Sequence, residues 1–168
     1  SGLTGKRLDS FHVTFMLAPR INAAGRMSSP ELAAELLLLK GRDPATRARA
    51  RDLAQLLAGE NTRRQEQEAA IVAEAKKSVE KDPAIGAHHV LVVAGEGWHP
   101  GVIGIVSSRL TEQLRRPSIV VAINGETAKA SGRSVPGVDL GAAVIAAAQA
   151  GLLLNGGGHP MAAGFTAH

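Results

Sequence analysis

An α/β fold, in which a mixed β-sheet is covered by helices and preceded by a long connector helix, is predicted by three features of the chain. Short apolar segments alternate with helical ones between residues 84 and 168, the pattern of a sheet with helical cover. Asn124-Gly125 lies between two of those segments and signals a hairpin, so the sheet is expected to be mixed. Leu53, Leu56, Leu57, Ile71, Val72, Ala75 and Val79 recur at helical spacing amid Arg, Glu, Gln and Lys, as along a helix with a charged outer side.

Three blocks follow in order. Residues 1–42 hold the segment Ala18-Pro19-Arg20-Ile21-Asn22-Ala23-Ala24-Gly25-Arg26-Met27 and a helix expected over Glu31 to Leu39, opened by Pro30 and closed by Gly41. Arg20, Asn22 and Arg26 cannot share one helix face, and Pro19 and Gly25 punctuate them, so a shaped loop is expected. Residues 43–82 are the connector, with Asp43 before Pro44 as its start and Pro83 as its latest end. A continuous helix there is about 55 Å long, with Gly59 and Asn61 as the place for a kink or break.

Residues 83–168 are the globular block. Val90 to Ala94 reads as a strand, Val102 to Leu114 as a helix, Ser118 to Ile123 and Ala128 to Ser134 as strands around the hairpin. Leu140 to Ala150 is an Ala-rich helix able to pack closely on a sheet, and Ala162 to Thr166 a returning strand. His88-His89 reads as an imidazole pair opening the first strand, since no third ligand lies near enough in sequence to complete a metal site.

With 168 residues, 45% hydrophobic and 20% charged, the chain can bury one core plus an appendage. It has no cysteine, hence no disulfide frame and no thiolate metal site. Apolar runs fall far short of the roughly 20 residues that span a bilayer, and no charged-then-apolar leader opens the chain, so a cytoplasmic protein without a membrane partner is expected. The formal charge is +4, yet residues 1–82 hold 14 Lys/Arg against 11 Asp/Glu and residues 83–168 hold 5 against 4. Neither half is a polyelectrolyte, so any DNA affinity rests on a few placed donors. With Trp98, Phe11, Phe15 and Phe165 as the only aromatics, a base-stacking platform is not expected.

Three segments carry the chemistry. In Asn155-Gly156-Gly157-Gly158-His159, consecutive glycines can turn their N–H groups into a concave nest for an anion, and the imidazole can donate to a phosphate oxygen; the plain alternative is a tight turn. In Ser131-Gly132-Arg133-Ser134 the glycine admits close backbone approach and the guanidinium can grip phosphate bidentately. Gly97-Trp98-His99-Pro100-Gly101 runs from a strand into a helix N-terminus, where anions are favoured. Its spacing is not that of a dinucleotide fingerprint. Trp98 with His99 is either a packing plug and its capping neighbour or a direct substrate contact.

Those segments, taken with Ala18 to Met27 and Gly97 to Val106, occur in the order seen in RecJ-type exonucleases, and the chain resembles the DHH-associated domain of such proteins with the helical connector before it. The resemblance covers essentially the whole chain. It implies a 5′ to 3′ exonuclease of DNA repair and recombination acting on single-stranded DNA. Ser131 and Arg133 would then hold the 5′ phosphate, Gly157, Gly158 and His159 the adjoining backbone, and Arg20, Asn22, Arg26, Trp98 and His99 would border the cleft. It also implies Mn²⁺ or Mg²⁺ in a DHH domain preceding residue 1. The scattered aspartates Asp9, Asp43, Asp52, Asp82 and Asp139 offer no such centre here, so the chain alone is expected to be inactive and to need the DHH domain of the same polypeptide as partner. Two alternatives stay open: a DHH-type phosphodiesterase for short oligonucleotides or cyclic dinucleotides, and a non-catalytic nucleic-acid-binding scaffold.

Overall fold

The structure, a computed structural model, describes residues 5, 7–82, 85 and 87–168; the expected connector end at Pro83 lies outside them. The chain divides into two compact units, Ser1–Glu66 and Gln67–His168.

In the first unit a π-helical segment, His12–Leu17, runs directly into helix α1, Ala18–Met27. The loop expected around Arg20, Asn22 and Arg26 is therefore a helix. Pro19 sits in its first turn, and the segment just before it is π-helical, so the missing N–H falls where the α-helical ladder has not yet begun, and Gly25 is tolerated inside it. The side chains still diverge: Asn22 and Arg26 are four residues apart on one exposed face, whereas the Arg20 guanidinium donates back to the Met16 carbonyl. Helix α2, Glu31–Leu38, begins after Pro30 and is followed by Gly41 at φ +133°. Ala24 of α1, Ala33 of α2 and Leu57 form the core, flanked by Ile21, Leu32 and Leu36.

Helix α3 runs unbroken from Pro44 to Lys81. The Asp43 carboxylate accepts from the Thr46 N–H at 2.9 Å and from its hydroxyl at 2.6 Å, which satisfies an otherwise orphaned donor of the first turn. Continuity holds at Gly59 because the roughly 1 kcal/mol lost there is offset by burial on the same helix, with Leu53 and Leu57 at 0% and 2% exposure. No helix among the described residues is long and apolar enough to cross a membrane.

In the second unit a five-stranded mixed sheet has the order β1-β2-β3-β5-β4. The strands are β1 (Leu91–Glu96), β2 (Ser118–Asn124), β3 (Thr127–Arg133), β4 (Asn155–His159) and β5 (Ala162–Ala167), with helices α4 (Ile103–Leu114) and α5 (Leu140–Gln149) between them. Only β1 and β2 are parallel, joined through α4. The β2–β3 hairpin turns through Gly125-Glu126, with Gly125 at φ +59°. Asp139 caps α5 by accepting from Ala142 N–H at 2.8 Å. His88 and His89 are exposed ahead of β1, and the His88 carbonyl accepts from Arg116 at 2.7 Å.

The two helices cover opposite faces. Helix α4 packs on β2 and β3, with Val102, Val106 and Leu110 fully buried and the Ser107 hydroxyl donating to the Ser118 carbonyl at 2.7 Å. Helix α5 packs on β4 and β5, where Leu140, Val144 and Ala163 form a cluster with Ile119, Leu153 and Phe165.

Candidate nucleic-acid interface

Side chains alternate across a strand, so residues 129, 131 and 133 of β3 share one face and residues 130 and 132 the other. A Cβ built at Gly132 would lie 2.6 Å from Leu140, on the α5 side. One built at Gly104, in the first turn of α4, would lie 3.0 Å from Ser131 Oγ and 3.4 Å from Arg133 Nη2. Ser131 and Arg133 thus face α4, held together by a 3.3 Å bond from Arg133 Nη1 to Ser131 Oγ, with Nη1 also donating to the Gly132 carbonyl at 2.8 Å.

Strand pairing carries this face across to β4 in three rows. Lys129 lies opposite Thr166 and then Asn155; Ser131 opposite Gly164 and then Gly157; Arg133 opposite Ala162 and then His159. The middle row is bare. A Cβ at Gly157 would meet nothing within 4 Å, and one at Gly164 only the Ala130 carbonyl, at 3.2 Å. With strands about 4.8 Å apart, the cationic edge on β3 and the imidazole on β4 flank a backbone floor about 10 Å wide. Among the described residues neither Arg133 nor Lys129 has a carboxylate partner. An un-neutralised guanidinium beside a hydroxyl and an uncovered backbone is chemically an oxyanion receptor.

The expected glycine nest is not what these residues form. None of Gly156, Gly157 and Gly158 has a left-handed φ, and a nest needs such alternation; the segment is instead the extended edge strand β4, drawn straight by pairing with β5. The three glycines have different reasons to be there. A Cβ at Gly156 would lie 2.8 Å from Val144, and one at Gly158 would lie 2.6 Å from the Ala163 Cα and overlap the Ala162 carbonyl. Gly158 therefore belongs to the packing of the β4–β5 hairpin, whereas Gly157 belongs to the open face. His159 ends β4 with an exposed side chain, while its backbone lies under Gly141 of α5, where a Cβ would come within 2.8 Å of it. Ser134 is buried, its hydroxyl donating to the Val138 carbonyl at 2.8 Å.

Trp98 is 5% exposed; its ring lies against Gly95, where a Cβ would be 2.6 Å from Cδ2, and its Nε1 donates to Glu74 Oε2 at 2.7 Å. Its ring is spent on packing. His99 accepts from the Gly101 N–H at Nδ1 and, through its carbonyl, from the Val102 and Ile103 N–H groups, so it shapes the start of α4. Arg20, Asn22 and Arg26 lie in the first unit. Lys129, Gly164 and Gly104 escaped the sequence reading, although Lys129 stands two residues before Ser131 and a period of two could have found it. Among the described residues no three His, Asp or Glu side chains gather as a metal would require, so these side chains do not fit a divalent ion and no hydrolytic step is assigned to them.

Comparison with known proteins agrees with this placement of the fold. Residues 86–168 match the DHHA1 domain family. Over 156 residues the chain is 38% identical to the single-stranded-DNA-specific exonuclease RecJ of Bacillus subtilis, which covers 92% of this chain and 19% of that protein. The crystal structure of RecJ with Mg²⁺ from Thermus thermophilus matches with a TM-score of 0.76 at 33% identity, over 98% of this chain and 24% of that one. A crystal structure of exonuclease RecJ bound to manganese matches with a TM-score of 0.77 at 36% identity, over 99% of this chain and 38% of the other. The chain spans between about a fifth and two fifths of the length of these relatives. With the domain family over its second half and the likeness to RecJ over nearly all of it, the chain belongs to the RecJ-type proteins of the DHH family.

Proposed function

We propose that this chain is the substrate-binding portion of a RecJ-like 5′ to 3′ single-stranded-DNA exonuclease, gripping DNA phosphates on the open half of the sheet. The carrying observation is the Arg133 guanidinium, hydrogen-bonded to Ser131 and unpaired by any described carboxylate, beside the bare row Gly164–Gly157. Arg133 and Ser131 hold the 5′ phosphate by charge-assisted and hydroxyl bonds. Gly157 lets the adjoining backbone lie against β4, Gly158 lets β4 take that course, and His159 donates to a phosphate oxygen at its end. Lys129 adds a second cation to the same face. Asn22 and Arg26, exposed on α1, with Arg20 and His99, are assigned as further contacts of the cleft in the whole polypeptide. A divalent ion, Mn²⁺ or Mg²⁺, would be held by a DHH domain of that polypeptide and would supply the activation of water there; the residues here bind and orient the strand.

The test is the affinity of the 168-residue chain for 5′-phosphorylated against 5′-hydroxyl oligothymidylate. A dissociation constant in or above the micromolar range is expected, worth roughly 8 kcal/mol or less, with preference for the phosphorylated end. Arg133→Ala should lose about ten- to a hundredfold on the phosphorylated ligand, the value of a hydrogen bond to a charged group, and little on the other. An unchanged preference would refute the assignment.

A further inference from the structure

We infer that Glu74 and Trp98 are positioning residues for the Ser131–Arg133 site: the hydrogen bond between them holds the turn that carries the first turn of α4 against the phosphate-gripping side chains. This rests on the phosphate reading above. The chain of contacts is continuous and lies wholly within the second unit. Glu74 Oε2 accepts from Trp98 Nε1 at 2.7 Å, and the indole covers Gly95 at the end of β1. Gly97, at φ +70°, then reverses the backbone. His99 accepts from the Gly101 N–H at 3.0 Å through Nδ1, and from the Val102 N–H at 2.9 Å through its carbonyl, which fixes where α4 begins. One residue into that helix, Gly104 stands over Ser131 and Arg133 so closely that a single added carbon would touch both.

A hydrogen bond to a 5% exposed indole is selective because it fixes both ring depth and ring plane. Without the carboxylate, the N–H either stays buried unsatisfied or turns towards water, and each alternative shifts the turn. A second tie runs beside it, from Glu68 of α3 to Arg109 of α4, so α3 holds both the turn before α4 and α4 itself. Because the space between Gly104 and the Ser131 and Arg133 side chains is too narrow to take one added carbon without crowding, a displacement of a few tenths of an ångström in α4 changes the room left to the guanidinium.

Trp98 is the single tryptophan of the chain, so its emission reports on the clamp without labelling. The experiment measures binding of 5′-phosphorylated tetrathymidylate to the 168-residue chain by calorimetry and by Trp98 fluorescence, for wild type, Glu74→Ala, Glu74→Gln and Arg133→Ala, each checked for fold by circular dichroism. Wild type should show a saturable emission change that tracks the calorimetric isotherm. Glu74→Ala should red-shift the emission of the free protein and weaken binding by about three- to tenfold. Glu74→Gln removes the same charge but keeps a carbonyl acceptor for the indole N–H, and should restore most of both properties. Equal affinity of Glu74→Ala and wild type, with Arg133→Ala weakened, would overturn the inference and leave the phosphate site standing. Binding by Glu74→Gln as weak as by Glu74→Ala would also overturn it, since charge or general stability would then be the cause. If Arg133→Ala bound like wild type, the phosphate reading itself would fall, and the inference with it.

Discussion

Substituting Gly157 separates the fold from the interface, because Gly157 and Gly158 are adjacent yet constrained by opposite things. Gly157 sits in extended backbone within β4, and a Cβ there meets nothing within 4 Å. Valine suits that conformation, so Gly157→Val should leave stability unchanged or raise it by up to about 1 kcal/mol. On the open face, however, its methyl groups stand about 2.5 Å above the floor between Ser131 and β4, by ordinary carbon–carbon geometry. A phosphodiester in hydrogen-bond contact at about 2.9 Å is pushed beyond bonding distance, and losing one charge-assisted bond costs about 1.5 to 3 kcal/mol. Affinity for 5′-phosphorylated oligothymidylate should therefore fall at least tenfold while the melting temperature holds. Gly158→Ala should do the reverse. Its Cβ would fall 2.6 Å from the Ala163 Cα, so the hairpin must shift, at a cost of about 1 to 3 kcal/mol, with melting lower by roughly 2 to 4 °C per kcal/mol. Calorimetric binding and thermal melting, run on both variants, decide the matter. A stable Gly157→Val protein that binds like wild type would show that the strand never touches this floor, and the interface would be wrong.

Two further outcomes follow from the same structure. The purified 168-residue chain should leave 5′-phosphorylated single strands intact in Mn²⁺, since no described carboxylate cluster can hold the ion; a gel assay showing metal-dependent turnover that survives controls for contaminating nuclease would refute this. The Asp43 carboxyl is held below its usual range, first by the Thr46 hydroxyl and then by the Thr46 N–H, so the stability it contributes is complete above its ordinary value of 3.8 and is lost as pH falls through the lower folded value. Asp43→Ala should accordingly melt lower than wild type at neutral pH, with the gap closing below about pH 3.8, as measured by circular dichroism across a pH series; a gap independent of pH would exclude the carboxylate as the source.

Most of the second unit was legible because its elements obey local rules. The helices at Ile103–Leu114 and Leu140–Gln149, the hairpin at Asn124-Gly125 and the strands β1, β2, β3 and β5 all fall within two residues of expectation. The exceptions share one cause, which is tertiary pairing acting against local preference. Three glycines have no strand propensity, yet β4 forms because β5 offers a complete antiparallel partner and Val144 packs where a Gly156 side chain would be. In the first unit Pro19 and Gly25 read as breakers, but Pro19 falls where a helix tolerates it and Ala23 and Ala24 bury at 0% exposure, so α1 forms. At the site, Ser131 and Arg133 were legible as a hydroxyl and a guanidinium on either side of Gly132 in one short strand. Register was not: nothing in the sequence says that Ser131 shares a row with Gly157, and Arg133 with His159.

That register bears on the proposed interface, which lies on this half of the sheet. Because α4 packs on β2 and β3, and α5 on β4 and β5 from the opposite side, no helix of this unit among the described residues packs on the other face of β5 and β4. An uncovered sheet face is normally costly, since each exposed large apolar side chain forfeits about 1.5 to 3 kcal/mol of burial. Here the uncovered positions are Gly157, Gly164, Ala162, Asn155, His159 and Thr166, which carry little apolar surface to forfeit. A helix packed over larger apolar side chains on these rows would occupy the space that the proposed reading leaves for the strand. The same absence of side chains that lets β4 remain open makes its backbone reachable, and in the proposed interface Arg133, without a carboxylate partner among the described residues, is the group at its border that would favour an anion.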